Sequence, residues 1–314
     1  MRLFQGLLVL SLALASALPS FPATADPATL RIGVQKYGTL VILAEQHTLE
    51  RRLADQAITV EWKEFPAGPQ LLEALGAGSI DFGITGEAPP VFAQAGRSPL
   101  VYVGVEPPAP HGEAIIVPKD SPIRTVQDLK GKRVALNKGS NVHFLLVQAL
   151  AAAGLGPKDI EPVYLTPADA RAAFDRGSID AWAIWDPFLA VAQDATGARV
   201  LADAQGLAPN RQYYLAHHDF AAAHPQLVET ILDEIGKTDR WAAEHQHEVA
   251  VMLSPRTGIA VPILETSLAR LTYGVTRLDD GAIAGQQQIA DTFHQLGLIP
   301  KPVTIRDAVW SPNS

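Results

Sequence analysis

A four-residue string, Gly-Ser-Ile-Asp, occurs twice in this sequence, at residues 78–81 and again at residues 177–180. Each copy is followed by a short apolar run and then by a break, at Thr85-Gly86-Glu87 in the first copy and at Trp185-Asp186-Pro187 in the second. The two copies lie 99 residues apart. A chain that builds the same turn, strand and break twice is predicted to fold into two facing halves of similar construction.

The likeness between the halves extends beyond this string. Residues 133–140 align with residues 31–38 at an offset of 102, and residues 164–174 align with residues 65–75 at an offset of 99. Apolar and turn positions agree over most of these segments, although few residues are identical. Two generic strand–helix units would also resemble each other to this degree, so coincidence is the alternative to a true internal repeat.

Strand and helix patterns alternate along the chain. Residues 30–34 and 58–65 have strand patterns, and a helical pattern runs from Leu40 to about Leu53. Such alternation predicts parallel sheets with helices on their faces, so we expect an α/β fold with two doubly wound lobes. The expected lobes are residues 26–113 together with 216–314, and residues 114–215. Helical stripes at residues 225–241, 262–273 and 279–296 are predicted to be packing helices.

The N-terminus is predicted to be a targeting signal rather than part of the fold. Arg2 precedes an almost wholly apolar run over residues 3–18, and Ala23-Thr24-Ala25 has the small-x-small pattern of a signal-peptidase site. Residues 1–25 are therefore the expected signal peptide, with export to the periplasm. The apolar run is shorter than the roughly 20 residues of a membrane span, which disfavours the alternative of a membrane anchor.

Composition excludes several classes of protein. The chain has no cysteine, so a disulfide scaffold, a thiolate metal site, a cysteine nucleophile and a lipoprotein anchor are all excluded. Hydrophobic residues make up 47% and charged residues 18%, which indicates a well-cored globular protein. The net charge of −8 argues against nucleic acid and anionic membranes as partners, although a local site could still hold a small anion.

Four predicted strand ends carry glycine, hydroxyl or amide residues just before a predicted helix. In doubly wound sheets ligands bind at such strand ends, where the free N–H groups of helix N-termini favour an anion. The simpler alternative is that these residues only cap helices. The candidate ligand-binding residues are Gln35, Tyr37, Gly38, Thr85, Gly86, Glu87, Ser140, Asn141, His143, Trp185 and Asp186.

These candidates have different expected roles. Trp185 and Tyr37 could cover an organic tail, whereas Trp182 is expected to pack in the core. Because a carboxylate repels an anion, Asp186 and Glu87 are expected to contact amides or hydroxyls, or to fix a loop. His143 is a candidate for the edge of the site. The sequence does not establish whether Lys36 or Lys138 reaches the ligand.

No motif for catalysis, a metal or a cofactor is apparent. The pairs His217-His218 and His245-x-His247 are spaced too closely to share one helix face. The sequence contains no nucleophile elbow, no phosphate-loop lysine motif and no dinucleotide fingerprint. We therefore predict a binding protein rather than an enzyme, with no cofactor and no metal.

Several longer strings resemble a known family. The segments are Glu64–Gln70, Gly104–Pro108, Tyr164–Phe174 and Gly177–Pro187. They are similar to those of the periplasmic aliphatic sulfonate-binding proteins of ABC importers, over nearly all of the predicted mature chain. Binders of nitrate, taurine and thiamin pyrimidine are more distant relatives, and each is an alternative. One departure is Asn141, because members of this family often carry a run of serines there.

This resemblance implies a type II periplasmic binding protein with a two-strand hinge that closes on its ligand. The sulfonate would be held between the lobes at the matching loops, those at Gln35, Thr85–Glu87, Ser140-Asn141 and Trp185-Asp186. The implied partners are an alkanesulfonate, an ABC permease and its ATPase, with the protein itself a monomer. Enzymes of the same fold, such as thiamin-pyrimidine synthases, rely on a cysteine-rich motif that this chain lacks. A ligand-sensing partner of a membrane receptor is a further alternative.

Overall fold

A computed structural model describes residues 29–312 of the chain. The predicted signal peptide lies outside these described residues. Within them, no helix combines the length and the apolar character that crossing a membrane requires. The described residues form two five-stranded sheets with helices packed on both.

The elements of the described part are given in chain order. The strands are β1 Thr29–Val34, β2 Thr59–Glu64, β3 Phe82–Gly86, β4 Leu100–Val105, β5 Glu113–Val117, β6 Arg133–Leu136, β7 Glu161–Tyr164, β8 Ala181–Trp185, β9 Arg199–Asp203 and β10 Gln212–His217. The α-helices are α1 Thr39–Gln46, α2 Thr48–Leu53, α3 Gly68–Gly76, α4 Ala88–Ala95, α5 Asn141–Ala152, α6 Pro167–Asp175, α7 Phe188–Thr196, α8 His218–Ala223, α9 Pro225–Glu244, α10 Gln246–Thr257, α11 Val261–Leu268 and α12 Asp280–Gln295. Short 3₁₀ helices occupy Ala54–Gln56, Pro110–Gly112, Val126–Leu129, Pro157–Asp159 and Ile305–Ala308.

The two sheets have the same topology. The first has the strand order β2-β1-β3-β10-β4 and the second the order β7-β6-β8-β5-β9. In the first sheet β1 runs parallel to β2 and β3, while β10 lies antiparallel between β3 and β4. In the second sheet β6 runs parallel to β7 and β8, while β5 lies antiparallel between β8 and β9. The prediction of two similar α/β lobes is therefore confirmed.

The antiparallel strand of each sheet is the one that enters from the other lobe. β5 is the first strand after the chain leaves the first sheet, and β10 is the first strand after it returns. The first predicted boundary, at residues 113 and 114, coincides with the start of β5. The second, at residues 215 and 216, is too late because Gln212–Ala216 already pairs with β3. The return crossing lies between Asp203 and Gln212.

The repeated Gly-Ser-Ile-Asp string has the same role in both lobes. The Asp81 carboxylate accepts a hydrogen bond from the Arg31 backbone N–H (2.8 Å), and the Asp81 N–H donates to the Arg31 carbonyl (2.8 Å). Asp180 makes the same two contacts with Arg133, each also 2.8 Å long. In each lobe these two hydrogen bonds connect the turn before one parallel strand, β3 or β8, to the start of the neighbouring strand, β1 or β6. The recurrence therefore reflects a structural repeat rather than coincidence.

Helices from the C-terminal part pack on the first lobe. The apolar stripe of α9 joins the core formed by the first sheet and α1. α10 and α11 form a further core with Val41 and Ile42 of α1. The predicted stripes at residues 225–241 and 279–296 correspond to α9 and α12, whereas the stripe at residues 262–273 is helical only over α11.

The helix predicted from Leu40 to Leu53 is interrupted. His47 adopts left-handed backbone angles (φ 53°, ψ 27°), which end α1 and begin α2. The apolar pattern continues across this residue because both helices bury the same kind of face, including Leu43 and Leu49. The pattern therefore predicted the helical regions correctly but gave no sign of the break.

Candidate functional site

A small cavity lies between the two lobes, at the carboxyl ends of several strands. Its volume is about 30 Å³, which is room for a compact group of a few atoms. Its lining residues are Gln35, Tyr37, Gly68, Gly86, Pro89, Ser140, Asn141, Trp185, Asn210 and Gln212. None of these described residues carries a charge. We call this space the head cavity.

Three helices begin at the head cavity. α3 begins at Gly68, α4 at Ala88 next to Pro89, and α5 at Asn141. Among the described residues, no N-cap side chain accepts a hydrogen bond from the first turn of any of these three helices. Unsatisfied N–H groups and aligned peptide dipoles favour a negative charge. The head cavity is therefore suited to an anion although no cationic side chain lines it.

Asn141 crosses the cleft from the second lobe and packs against Gly86 of the first. A Cβ atom at position 86 would lie 2.0 Å from the side-chain amide of Asn141, far inside van der Waals contact. The Asn141 amide donates to Asn210 Oδ1 (2.8 Å), and the Asn210 amide donates to the Ala109 carbonyl (2.8 Å). Since Asn210 lies on the return crossing, Asn141 connects both lobes and the hinge. The lobes are closed around the cavity.

The loop after β1 contributes one amide and one phenol to the wall. Gln35 Nε2 donates to the Ile84 carbonyl (3.0 Å), which fixes this side chain against β3. Tyr37 is buried, and its hydroxyl has no hydrogen-bond partner among the described residues. Burial, followed by the charge of Asp186, raises the pKa of Tyr37 well above its ordinary value, so its hydroxyl keeps its proton. Tyr37 is therefore a free hydrogen-bond donor at the cavity.

A larger cavity of about 330 Å³ adjoins the first and shares Gln35, Tyr37 and Trp185 with it. The rest of its wall is formed by Lys36, Glu64, Phe65, Pro66, Pro167, Ala168, Pro187 and Phe188. Trp185 meets Phe188 edge to face, with 6.2 Å between ring centroids. This second space, which we call the tail cavity, is mostly apolar. The two spaces together fit a ligand with a compact anionic head and an organic tail.

Asp186 does not line either cavity. Its carboxylate is fully buried, accepts a hydrogen bond from Ala190 N (3.0 Å) and contacts Arg270 (3.2 Å). Arg270 also donates to Gln193 Oε1 (2.7 Å). Arg270 follows α11, which packs with the first lobe, so this ion pair joins the two lobes. Burial raises the pKa of Asp186 to about 7, although Arg270 opposes the shift.

Glu87, Thr85 and Gly38 lie just behind the cavity wall. Glu87 is fully buried, and its carboxylate accepts a hydrogen bond from Arg211 N (3.0 Å) on the return crossing. Burial raises the pKa of Glu87 to about 7. The Thr85 hydroxyl donates to the Gly86 carbonyl (2.9 Å), and Gly38 (φ 87°) packs on Ile84. These three predicted ligand contacts are placed as supports of the wall, since none of them lines either cavity.

His143 also lies away from both cavities. Its Nδ1 accepts a hydrogen bond from Gly139 N (3.2 Å), and its ring packs against Phe92 and Phe293. Burial, and secondarily the charge of Lys138, lowers the pKa of His143 to about 4. It is a neutral packing residue that lines neither cavity, and its place at the edge of the site stays a prediction. Lys138 lies over the Tyr164 ring, 5.4 Å from the centroid, and does not line the head cavity.

Six of the eleven predicted residues thus line the head cavity, but sequence reasoning missed four others there. Gly68 lies in the Pro-Ala-Gly-Pro turn, so its position at a strand end was a usable signal. Pro89 follows the Thr-Gly-Glu break directly. Asn210 and Gln212 come from the return crossing, where no motif points to a site. Among the described residues, no group of three or more acidic or histidine side chains could hold a metal ion.

Comparison with known proteins agrees with this arrangement. The family model described as NMT1/THI5 like matches residues 53–249, which include parts of both lobes. A curated relative, the putative aliphatic sulfonates-binding protein of Escherichia coli K12, is 44% identical over 310 residues, covering 97% of each chain. The chain belongs to the aliphatic sulfonate-binding branch of the NMT1/THI5-like family.

Solved structures of this family share the fold described above. The alkanesulfonate-binding protein SsuA from Xanthomonas axonopodis pv. citri, bound to MOPS, matches with a TM-score of 0.87 at 43% identity, over 91% of this chain and 99% of that chain. The periplasmic aliphatic sulphonate binding protein SsuA from E. coli matches with a TM-score of 0.82 at 44% identity, over 91% and 93%.

Proposed function

We propose that this protein captures alkanesulfonates in the periplasm and delivers them to an ABC permease and its ATPase, without performing chemistry. Residues 1–25 would act as the export signal, with cleavage after Ala25. The observation that carries the proposal is the head cavity itself. It is uncharged and bounded by three helix N-termini, and it occurs in a chain whose relatives include sulfonate-binding proteins.

The sulfonate would occupy the head cavity. Its three oxygens can accept hydrogen bonds from backbone N–H groups at the helix starts and from the Tyr37 hydroxyl. Contacts at a helix N-terminus contribute roughly 0.3 to 2 kcal/mol each. A micromolar dissociation constant corresponds to about −8 kcal/mol, so several such contacts must act together. Three helix starts and the Tyr37 hydroxyl converge on this cavity and would together supply several such contacts.

The carbon chain would extend into the tail cavity past Trp185. The two copies of the repeat then have different roles. The first ends in Gly86, where the absence of a side chain leaves room for Asn141 and the head group. The second ends in Trp185, which forms the wall that the two cavities share and contacts the tail. Tail preference would therefore depend mainly on the second copy.

Ligand binding would be coupled to closure of the lobes. Asn141 and Gly86 meet only when the cleft is shut, and the Asp186–Arg270 pair also spans the lobes. A ligand that contacts both lobes stabilises this state over an open one. The closed state, carrying surfaces of both lobes in a fixed arrangement, would then be the form that docks on the permease.

Isothermal titration calorimetry of the purified mature protein tests this function. We expect ethanesulfonate and octanesulfonate to bind with micromolar or tighter dissociation constants, and sulfate and nitrate to bind at least tenfold more weakly. The affinity for taurine shows whether the site accepts an amino group on the carbon chain. Binding of nitrate but of no sulfonate would contradict the sulfonate assignment while leaving an importer possible. Turnover of a sulfonate would instead indicate an enzyme on this fold.

A further inference from the structure

The wall of the tail cavity is mostly apolar but includes two charged residues. They are Lys36, which follows Gln35 on the loop after β1, and Glu64 at the end of β2. A charge beside an apolar cavity is costly unless it is paired or hydrated, so each of the two requires an explanation.

Glu64 is compensated from within the protein. Arg256 of α10 lies 3.7 Å from its carboxylate and also pairs with Glu45 of α1. The Glu64 side chain is 40% exposed, so water completes its solvation. Its charge is therefore already balanced by a neighbouring cation.

Lys36 has no such partner. Its ammonium group makes no ion pair and no hydrogen bond with any residue in the range 29–312, although the residue is half-buried at the cavity wall. The loop that carries it is fixed at the adjacent residue, since Gln35 Nε2 donates to the Ile84 carbonyl. An unpaired cation is thus held at the space that the organic tail would occupy.

We propose that Lys36 extends the ligand range of this protein to sulfonates whose carbon chain ends in a carboxylate. This inference rests on the proposed function, and it specifies the substrate class of the same site. The sulfonate would occupy the head cavity, and the distal carboxylate would lie in the tail cavity within reach of Lys36. Simple alkanesulfonates would fill the same space without using the lysine.

The expected effect is modest because Lys36 is partly hydrated. Ion pairs at exposed positions change an affinity by up to about fivefold. Such an interaction also weakens as salt is added, since the screening length falls to roughly 3 Å at 1 M ionic strength. If Lys36→Gln lowers the affinity for carboxylated ligands only, and if this loss of affinity shrinks as salt is added, the lysine acts on the carboxylate rather than on the cavity in general.

Calorimetry with two matched ligand pairs tests this inference. The pairs are propanesulfonate with sulfopropanoate and butanesulfonate with sulfobutanoate. Each ligand is titrated into wild type, Lys36→Gln and the exposed control Lys158→Gln. We expect Lys36→Gln to weaken binding of at least one carboxylated ligand by about threefold to fivefold at low salt. Both alkanesulfonates should bind within about 1.5-fold of wild type, and Lys158→Gln should leave all four unchanged.

Two results would overturn the inference alone. One is binding of the alkanesulfonates with no measurable binding of either carboxylated analogue. The other is an equal effect of Lys36→Gln on both members of each pair, or no effect on either. Failure of all four ligands to bind wild type would instead overturn the proposed function, and the inference with it.

Discussion

Gly86 and Asn141 come from opposite lobes and are packed so closely that a Cβ atom on residue 86 would lie 2.0 Å from the Asn141 amide. Only glycine at position 86 allows the lobes to reach this arrangement. The contact borders the head cavity, so the residue that permits closure also shapes the space for the ligand.

Replacing Gly86 with alanine is expected to weaken ethanesulfonate binding by at least tenfold, because the added methyl group prevents Asn141 from docking. Small-angle scattering in saturating ligand should show a larger radius of gyration than for wild type. Gly285→Ala is the matched control, since a Cβ at that position in α12 meets no atom within 4 Å. Unchanged affinity of Gly86→Ala would contradict the role of this contact in closure.

The double variant Ser140→Ala/Asn141→Ala tests the second lobe's share of the site. The Ser140 hydroxyl donates to the Asn137 carbonyl (2.7 Å) and orders the start of α5, while Asn141 spans the cleft. We expect calorimetry to show at least tenfold weaker binding, with Ser178→Ala, an exposed serine of the same lobe, unaffected. Retained affinity in a folded double variant would mean that the site has been misplaced.

Much of the fold could be predicted because the repeat is local in sequence. Each Gly-Ser-Ile-Asp string closes a turn against an arginine about 50 residues earlier in its own lobe, and the apolar runs that follow form β3 and β8. The head cavity lies at the ends of these strands, and six of the predicted residues line it. The local sequence pattern and the expected sheet topology were sufficient to predict these six residues.

The rest depends on contacts between distant parts of the chain. Asn210 reaches the cavity only because β10 inserts between β3 and β4, more than 100 residues earlier in sequence. Arg270 lies in the helical stripe predicted at residues 262–273, but α11 ends at Leu268, and the pairing of Arg270 with Asp186 follows from how α11 packs. His143 was predicted from its position after Ser140, but its ring packs on Phe92 of the first lobe and lines neither cavity.

Protonation of buried carboxyl groups should make stability depend on pH. Asp186 and Glu87 each have a pKa of about 7 in the folded protein, well above the ordinary value near 4, because burial disfavours the charged form. Between about pH 4 and pH 7 the folded protein therefore binds protons that the unfolded chain has released. The free energy of unfolding that these groups contribute falls as the pH rises from about 4 to about 7, and it levels off above about pH 7.

Asp186→Asn removes one of these protons while keeping an oxygen that can accept the hydrogen bond from Ala190 N. We expect its melting temperature to decline less than that of wild type between about pH 4 and pH 7. Exposed Asp120 provides the control, since Asp120→Asn should follow the wild-type profile. Identical pH profiles for wild type and Asp186→Asn would contradict a titrating carboxyl group at this position.

Trp185→Ala tests the assignment of the tail cavity. Removing a large apolar contact costs about 1.5 to 3 kcal/mol when the contact is fully used, which corresponds to roughly tenfold or more in affinity. The affinity for octanesulfonate should fall by at least this factor. The affinity for ethanesulfonate, which has little tail, should change by less than about threefold. The two ligands serve as controls for each other, and equal losses would argue against a tail running past Trp185.

The position of the bound sulfonate is the central point of this account. A crystal structure of the complex with ethanesulfonate measures it directly. We predict that the sulfur lies in the head cavity beside the Gly86–Asn141 contact, with oxygens within hydrogen-bond distance of N–H groups at the starts of α3, α4 and α5. A sulfonate bound outside the interlobe cleft, or held there by a lysine or arginine side chain, would contradict the account.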